Sequence, residues 1–219
     1  MNVTEALKTR TSIRAFKPDP IPEALVREIL EVARYAPSGG NLQPWKLIAV
    51  AGAAREAVRA LAKANLPGAE DDRPVYPPHL WEPYRTRRFK VGEDMYALLG
   101  IPRENKPARL MHLAQNFDFF GAPVGLFFII DRRMGHAQWA HLGMFMQSIA
   151  LAALERGVQS CMQEAWARMR APLHAHFGLD ENDMVYCGMA LGYADMSAPV
   201  NTLRSDRAPL DEFASFRGF

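Results

Sequence analysis

Cysteine is nearly missing from this chain: there are two in 219 residues, Cys161 and Cys187, with neither CxxC nor metal-ligand spacing. No disulfide framework can be read from such a pair, and so low a count suits a reducing compartment. An excess of one charge is lacking too, since 26 Lys and Arg stand against 24 Asp and Glu, a formal net charge of +2. That balance gives no electrostatic case for nucleic acid as a partner. Long apolar runs are absent: the longest, Ala122 to Ile130, is far shorter than a bilayer span, and MNVTEALKTR at the start has no apolar signal core. The expectation is a cytoplasmic chain with no membrane partner. The chain also lacks a GxSxG elbow, a Walker loop, an HExxH pair and a GxGxxG turn after a strand, which sets aside several common chemistries. Its six histidines are scattered; His174 and His176, two apart, face different sides of a helix, so no metal site is expected.

What is present reads as one domain over residues 1–219, with 49% hydrophobic residues to build its core. Val3 to Lys8 predicts a short helix capped by Asn2. Leu25, Ile29, Val32 and Ala36 recur at helical spacing behind Pro22, and Pro37 stops that helix. Leu47 to Ala51 predicts a buried strand, and the alanine-rich Ala53 to Ala64 another helix. Arg55, on a helix face with no motif, is expected to play no part in any site. Pro107 to Phe120 predicts a helix, Val124 to Ile130 a strand, and His136 to Glu155 a long helix apolar nearly all round and therefore buried on most sides. Two further strands follow, Val158 to Met162 and Met184 to Leu191, with a helix near Pro172 to Phe177 between them. The segment from about 66 to 106 differs. Prolines at 67, 74, 77, 78, 83 and 102 surround Trp81, Tyr84, Arg85, Arg87 and Arg88, and only Glu93 to Gly100 has helical character. A stretch so long and so aromatic reads as a lid or insertion that helps select a substrate, with Tyr84, Arg85 and Arg88 as its contacts. The tail holds Arg204, Arg207, Phe213, Phe216 and Phe219, aromatics suited to docking on a second subunit.

Two short stretches carry the chemistry. In Arg10-Thr11-Ser12-Ile13-Arg14, two guanidinium groups flank a hydroxyl, a set suited to a phosphate monoester, and Arg207 can add a third cation. In Pro37 to Trp45, PSGGNLQPW, Gly39 and Gly40 permit positive φ and a close approach to a ligand. Ser38, Asn41 and Gln43 supply donors and acceptors for the edge of a flat ring. A phosphate clamp beside a ring-reading loop indicates a mononucleotide-like cofactor. Flavin mononucleotide and pyridoxal phosphate both fit. The second needs a Schiff-base lysine in the core, whereas lysines 8, 17, 46, 63, 90 and 106 lie near loops or exposed faces, which favours the flavin.

RTSIRAF followed by PSGGNLQPW resembles the flavin-binding signature of the nitroreductase family. FFGAPVGLFFIID, the long helix from His136, GVQSCMQEAW and the ALGY strand end resemble it in the same order, so the likeness spans nearly the whole chain. The chain is most similar to the subgroup with a PYRTRR-type insertion. The resemblance implies an α+β fold, a central mostly antiparallel sheet flanked by helices, in an intertwined homodimer with two FMN molecules at its interface. It implies that Arg10, Ser12 and Arg207 hold the phosphate, that Arg14 sits toward the ring's N1 and C2 oxygen, and that Thr11 is a further cofactor-binding residue. Pro37, Ser38, Gly39 and Asn41 would come from the partner chain, and Gln43 is a further cofactor-binding residue. Asn116, or its neighbour Gln115, would read the pyrimidine edge, and in Gln163-Glu164-Ala165 the backbone N–H of Glu164 would face flavin N5. Met162 and Ala165 stand where many members carry Pro and Gly. The implied activity is hydride transfer from NADH or NADPH through FMN to nitroaromatic or quinone acceptors. The alternatives are reductive dehalogenation, alkene reduction, or FMN binding without turnover.

Overall fold

A computed structural model of the chain describes residues 1–65 and 75–219. The part of the expected insertion at 66–74, with Pro67 and Pro74, lies outside the described residues. Four strands make one sheet in the order β1-β2-β4-β3: β1 Lys46–Ala51, β2 Val124–Asp131, β3 Gln159–Gln163 and β4 Asp183–Gly192. All three pairings are antiparallel, with Val124 opposite both Ala51 and Leu191, and Cys161 opposite Ala190. The continuous apolar run of β2 is explained by its place in the sheet centre, where it is covered on both faces and buried through seven of its eight residues. The expectation of a buried first strand is corrected. β1 is an edge strand whose residues are mostly half-buried or exposed.

Helices cover both faces. On one side α2 (Glu23–Ala33) and α6 (His136–Glu155) pack Ile29, Ala33, Phe145 and Ile149 against Leu126, Phe128 and Met189. On the other, α3 (Gly52–Ala64) and α7 (Arg170–Phe177) join two 3-10 turns, Gln115–Gly121 and Glu164–Met169, over Phe127, Val185 and Ala190. The α+β reading with a sheet between helical layers therefore holds.

Several boundaries differ from expectation for physical reasons. The second helix ends at Ala33, three residues early, and buries Val26, Ile29 and Ala33; Leu25 is half-buried and Ala36, past its end, is buried in the same core. Val32 is 45% exposed, because the chain turns at Arg34 to deliver Pro37 to the glycine loop. The insertion is more regular than its prolines imply: α4 runs from Tyr84 to Leu98, starting nine residues before the expected Glu93. Its apolar residues are spread round the helix rather than gathered on one side, so no apolar stripe could reveal it. Ion pairs hold it instead, Arg109 of α5 (Lys106–Ala114) gripping Glu93 through two bonds and stacking on Tyr96 at 4.2 Å. The helix expected to reach Phe120 stops at Ala114. It gives way to the 3-10 turn, in which Phe119 and Phe120 take positive φ of 51° and 53°.

Arg55 has a structural place. It is buried, donates to the carbonyl and carboxylate of Asp118 at 3.0 and 2.9 Å, and lies over Phe119, so it anchors the turn before β2. The long helix α6 is buried along one side only. Met144, 45% exposed, stands with Ala137, Ala140 and Gly143 on its open face.

Candidate active site

The site is built where the N-terminal segment meets the outer edge of β3. Arg10 to Phe16 has no helical or strand periodicity, so its backbone groups need partners from elsewhere. Ile13 N–H donates to Ser160 O at 3.1 Å beside a parallel bridge between Ser12 and Ser160. Phe16 N–H reaches Phe120 O at 3.3 Å, and Lys17 N–H reaches Tyr193 O at 2.8 Å. The buried Asn201 completes the clamp: its Oδ1 accepts from Arg14 N–H, and its Nδ2 donates to the carbonyls of Ala15 and Asp195, all at 2.8 Å. Sequence reasoning missed Asn201, which sits in an unpatterned tail and matters only because the tail folds back.

This scaffold brings Arg10 and Arg207 together. Burial and the neighbouring Arg207 hold the Arg10 guanidinium below its usual pKa, and no carboxylate pairs with Arg10 among the described residues. Arg207 bends onto Ser205, donating to its carbonyl and hydroxyl at 2.8 and 2.7 Å. Thr11 turns its hydroxyl to Leu203 O at 3.4 Å, a tie to the tail. Beneath lies Cys161, whose thiol is pushed up by burial although Arg14, Ser12 and Arg10 surround it.

A cavity of ≈ 490 Å³ opens beside this group, lined by Arg14, Tyr76, Arg88, His112, Asn116 and Glu164, with Phe117, Phe120 and Met162 as apolar wall. The structure thus joins Arg14, Asn116, Glu164 and Arg88 across four separate parts of the chain. Of the two candidates for one role, Asn116 faces this cavity and Gln115 a neighbouring one. Gln163 bridges the two 3-10 turns, donating from Nε2 to Asn116 O at 2.7 Å. Its Oε1 is buried with no partner among the described residues, so an acceptor is left open next to the cavity. The ring of His112, held between Tyr96 and Phe120, is kept below the usual histidine pKa by burial and then by Arg14. Neither Tyr76 nor His112 was legible as a site residue, since neither belongs to a motif.

Two of the expected substrate contacts are not brought in. Tyr84 stacks edge-on against Trp81 at 5.5 Å, and Arg85 pairs with Glu82 at 2.8 Å on the outer surface. The glycine loop also stays outside the cavity of its own chain. It folds on itself, Ser38 Oγ accepting from Gln43 N–H at 2.9 Å while Gln43 Nε2 donates to Asn41 O at 3.4 Å. Gly40, Asn41 and Gln43 take positive φ, and a side chain at Gly39 would press on His141 at 3.1 Å. Pro37, Gly39, Asn41 and Gln43 are exposed. A larger cavity of ≈ 830 Å³, lined by Asn65, Arg132, Arg170 and His174, contains none of the motif residues, so the smaller one is the candidate site. No group of histidine, cysteine and acidic side chains suited to a metal occurs among the described residues.

The donor set suits a phosphorylated, flat, polar ring: paired cations with no counter-charge among the described residues, a hydroxyl at Ser12, an open amide acceptor at Gln163 and a cavity with an aromatic wall. The fold and site define a flavoprotein oxidoreductase class, and comparison with known proteins agrees. The nitroreductase family model matches residues 7–193, and the chain belongs to that family. It is 40% identical over 213 residues to the 4-nitrobenzoate reductase of Pseudomonas putida, covering 96% of this chain and 93% of that one. It is 36% identical to the nitrobenzene nitroreductase of Ectopseudomonas oleovorans over 218 residues, 98% and 96% of the two chains. Among solved structures, the FMN and NADPH-dependent nitroreductase of Sphigopyxis sp. strain HMH superposes over 100% of both chains with a TM-score of 0.96 at 43% identity.

Proposed function

We propose that this chain is one FMN-binding domain, with a lid-like insertion at about 66–106, that works as a homodimeric NAD(P)H-dependent nitroreductase of the cytoplasm. The observation that carries the reading is the convergence of Arg10 and Arg207 beside Ser12 with no carboxylate among the described residues to neutralise them. An anion relieves that repulsion, and a phosphate accepts bidentate bonds from guanidinium groups. FMN, when bound, supplies a carrier that accepts a hydride from nicotinamide and yields it to a nitroaromatic or quinone. In this reading Arg10, Ser12 and Arg207 grip the phosphate. Arg14 and Asn116 line the same cavity and meet the polar edge of the ring. The Arg14 guanidinium favours negative charge on that edge. The backbone N–H of Glu164 offers a donor at the reacting face. Pro37 to Gln43 leaves its own cavity free and presents its donors outward, which suits service to a second subunit. The apolar wall of Phe117 and Phe120 excludes water from the acceptor.

The test is direct. The purified protein is expected to be yellow, with roughly one FMN per chain, and to oxidise NADH or NADPH only when nitrobenzene, 4-nitrobenzoate or a quinone is supplied. Stoichiometric flavin with no acceptor-dependent turnover would leave only a carrier or sensor role.

A further inference from the structure

The four cations in the first half of α4 do not share one fate. Arg85 pairs with Glu82 at 2.8 Å, Arg87 with Glu212, and Lys90 with Asp94 and Asp206 at 2.6 and 3.0 Å. Arg88 alone among them has no carboxylate partner among the described residues, and it alone lines the cavity. Its guanidinium lies 4.2 Å over the ring of Tyr76. The Tyr76 hydroxyl donates at 2.9 Å to Glu164 Oε2, the cavity's own carboxylate. Glu164 would otherwise be the natural counter-ion for Arg88 and would repel an anion. Tyr76 occupies it instead. Burial and the charge of Glu164 push the Tyr76 hydroxyl up to about 12, so it remains a donor throughout the neutral range.

We infer that Arg88, with Glu164 capped by Tyr76, is the residue that makes this site select acceptors carrying a carboxylate on the aromatic ring. The inference rests on the nitroreductase reading and names its substrate class. A planar guanidinium matches a carboxylate with two parallel bonds, and the aromatic wall of Phe117 and Phe120 takes the ring. A nitro group is neutral overall and gains far less from a cation. Charge on the ring substituent, not the nitro group, is therefore what Arg88 reads.

The experiment compares 4-nitrobenzoate with nitrobenzene as acceptors for the FMN-loaded protein, and benzoate with benzamide as dead-end inhibitors. The wild type is expected to favour 4-nitrobenzoate in kcat/KM. Arg88→Gln should cut that preference at least ~10-fold, as loss of a charge-assisted bond does, and weaken benzoate inhibition in parallel. Arg88→Lys should recover part of both, because the charge remains. Tyr76→Phe leaves the Glu164 carboxylate uncapped and should lower the preference in the same direction by a smaller factor. Equal losses with both acceptors would overturn the inference. So would a rise confined to the KM for NADPH, which would assign Arg88 to the donor's phosphate. If the wild type turns over neither acceptor, the nitroreductase reading fails. Benzoate binding by calorimetry to wild type and Arg88→Gln then still decides what Arg88 recognises, equal affinities sinking the inference.

Discussion

Arg10 is held in an unfavourable place, partly buried and facing Arg207, and such an arrangement persists in a folded chain when a ligand gains from it. Removing the guanidinium should cost about 1.5–3 kcal/mol of phosphate binding, the usual worth of a charge-assisted bond, so Arg10→Ala should weaken FMN affinity more than tenfold. Arg27→Ala is the proper control, because Arg27 is exposed and pairs with Glu23 one turn earlier. Flavin retention on gel filtration separates the two; equal retention would remove Arg10 from the clamp. Arg55 looked like a neutral control from its helix alone, yet its burial against Asp118 makes it structural. The difference was invisible because Asp118 is 63 residues away in sequence.

At the scale of elements, two glycines in the sheet decide where the site's turns lie. A methyl group at Gly188 of β4 would meet Trp166 Cδ1 at 2.4 Å, and one at Gly125 of β2 would meet Phe119 Cζ at 2.3 Å. These aromatics lie flat on the sheet because no side chain intervenes, and each belongs to a 3-10 turn bearing a site residue. Trp166 follows Glu164 by two positions, and Phe119 follows Asn116 by three. Gly188→Ala should therefore overpack this face at a cost of about 1–3 kcal/mol. Thermal unfolding should show a lowered Tm, and the displaced turn should reduce FMN affinity as well. An unchanged Tm would mean that Trp166 moves aside freely. Periodicity could not have found this pairing, since a strand glycine signals only a bulge or a close approach without naming what approaches.

For the whole molecule, the open parts lie together in kind if not in sequence. The face of α6 with Ala140, Gly143 and Met144, the exposed glycine loop, and the tail with Phe213 and Phe216 at 70% and 64% exposure are apolar or ligand-seeking surfaces left without partners in a lone chain. A second copy covers such surfaces in the proposed dimer, and obligate interfaces resemble a core cut in half. Light scattering should give twice 24.6 kDa for the FMN-loaded protein. A monomer with stoichiometric flavin would refute a site shared between chains.

The sequence by itself determined the strongly periodic and strongly apolar elements. The bounds of α6 were readable to the residue and those of β2 to within one, because a 20-residue helix and a run from Val124 to Ile130 are specified by local pattern. It also held most of the proposed cofactor clamp, since Arg10, Ser12 and Arg14 lie within five residues. Tertiary structure alone decided the rest. α4 has no apolar stripe and is tied to Arg109 and to the tail's Asp206 and Glu212, partners that no window of sequence can supply. The bond from Tyr76 to Glu164 beside Arg88, and the clamp that Asn201 closes on Arg14, join residues 88 and 187 positions apart. Such contacts are selected by which surfaces the packed sheet and helices leave facing one another. Local propensity specifies the elements; only the buried core fixes which of their polar faces meet.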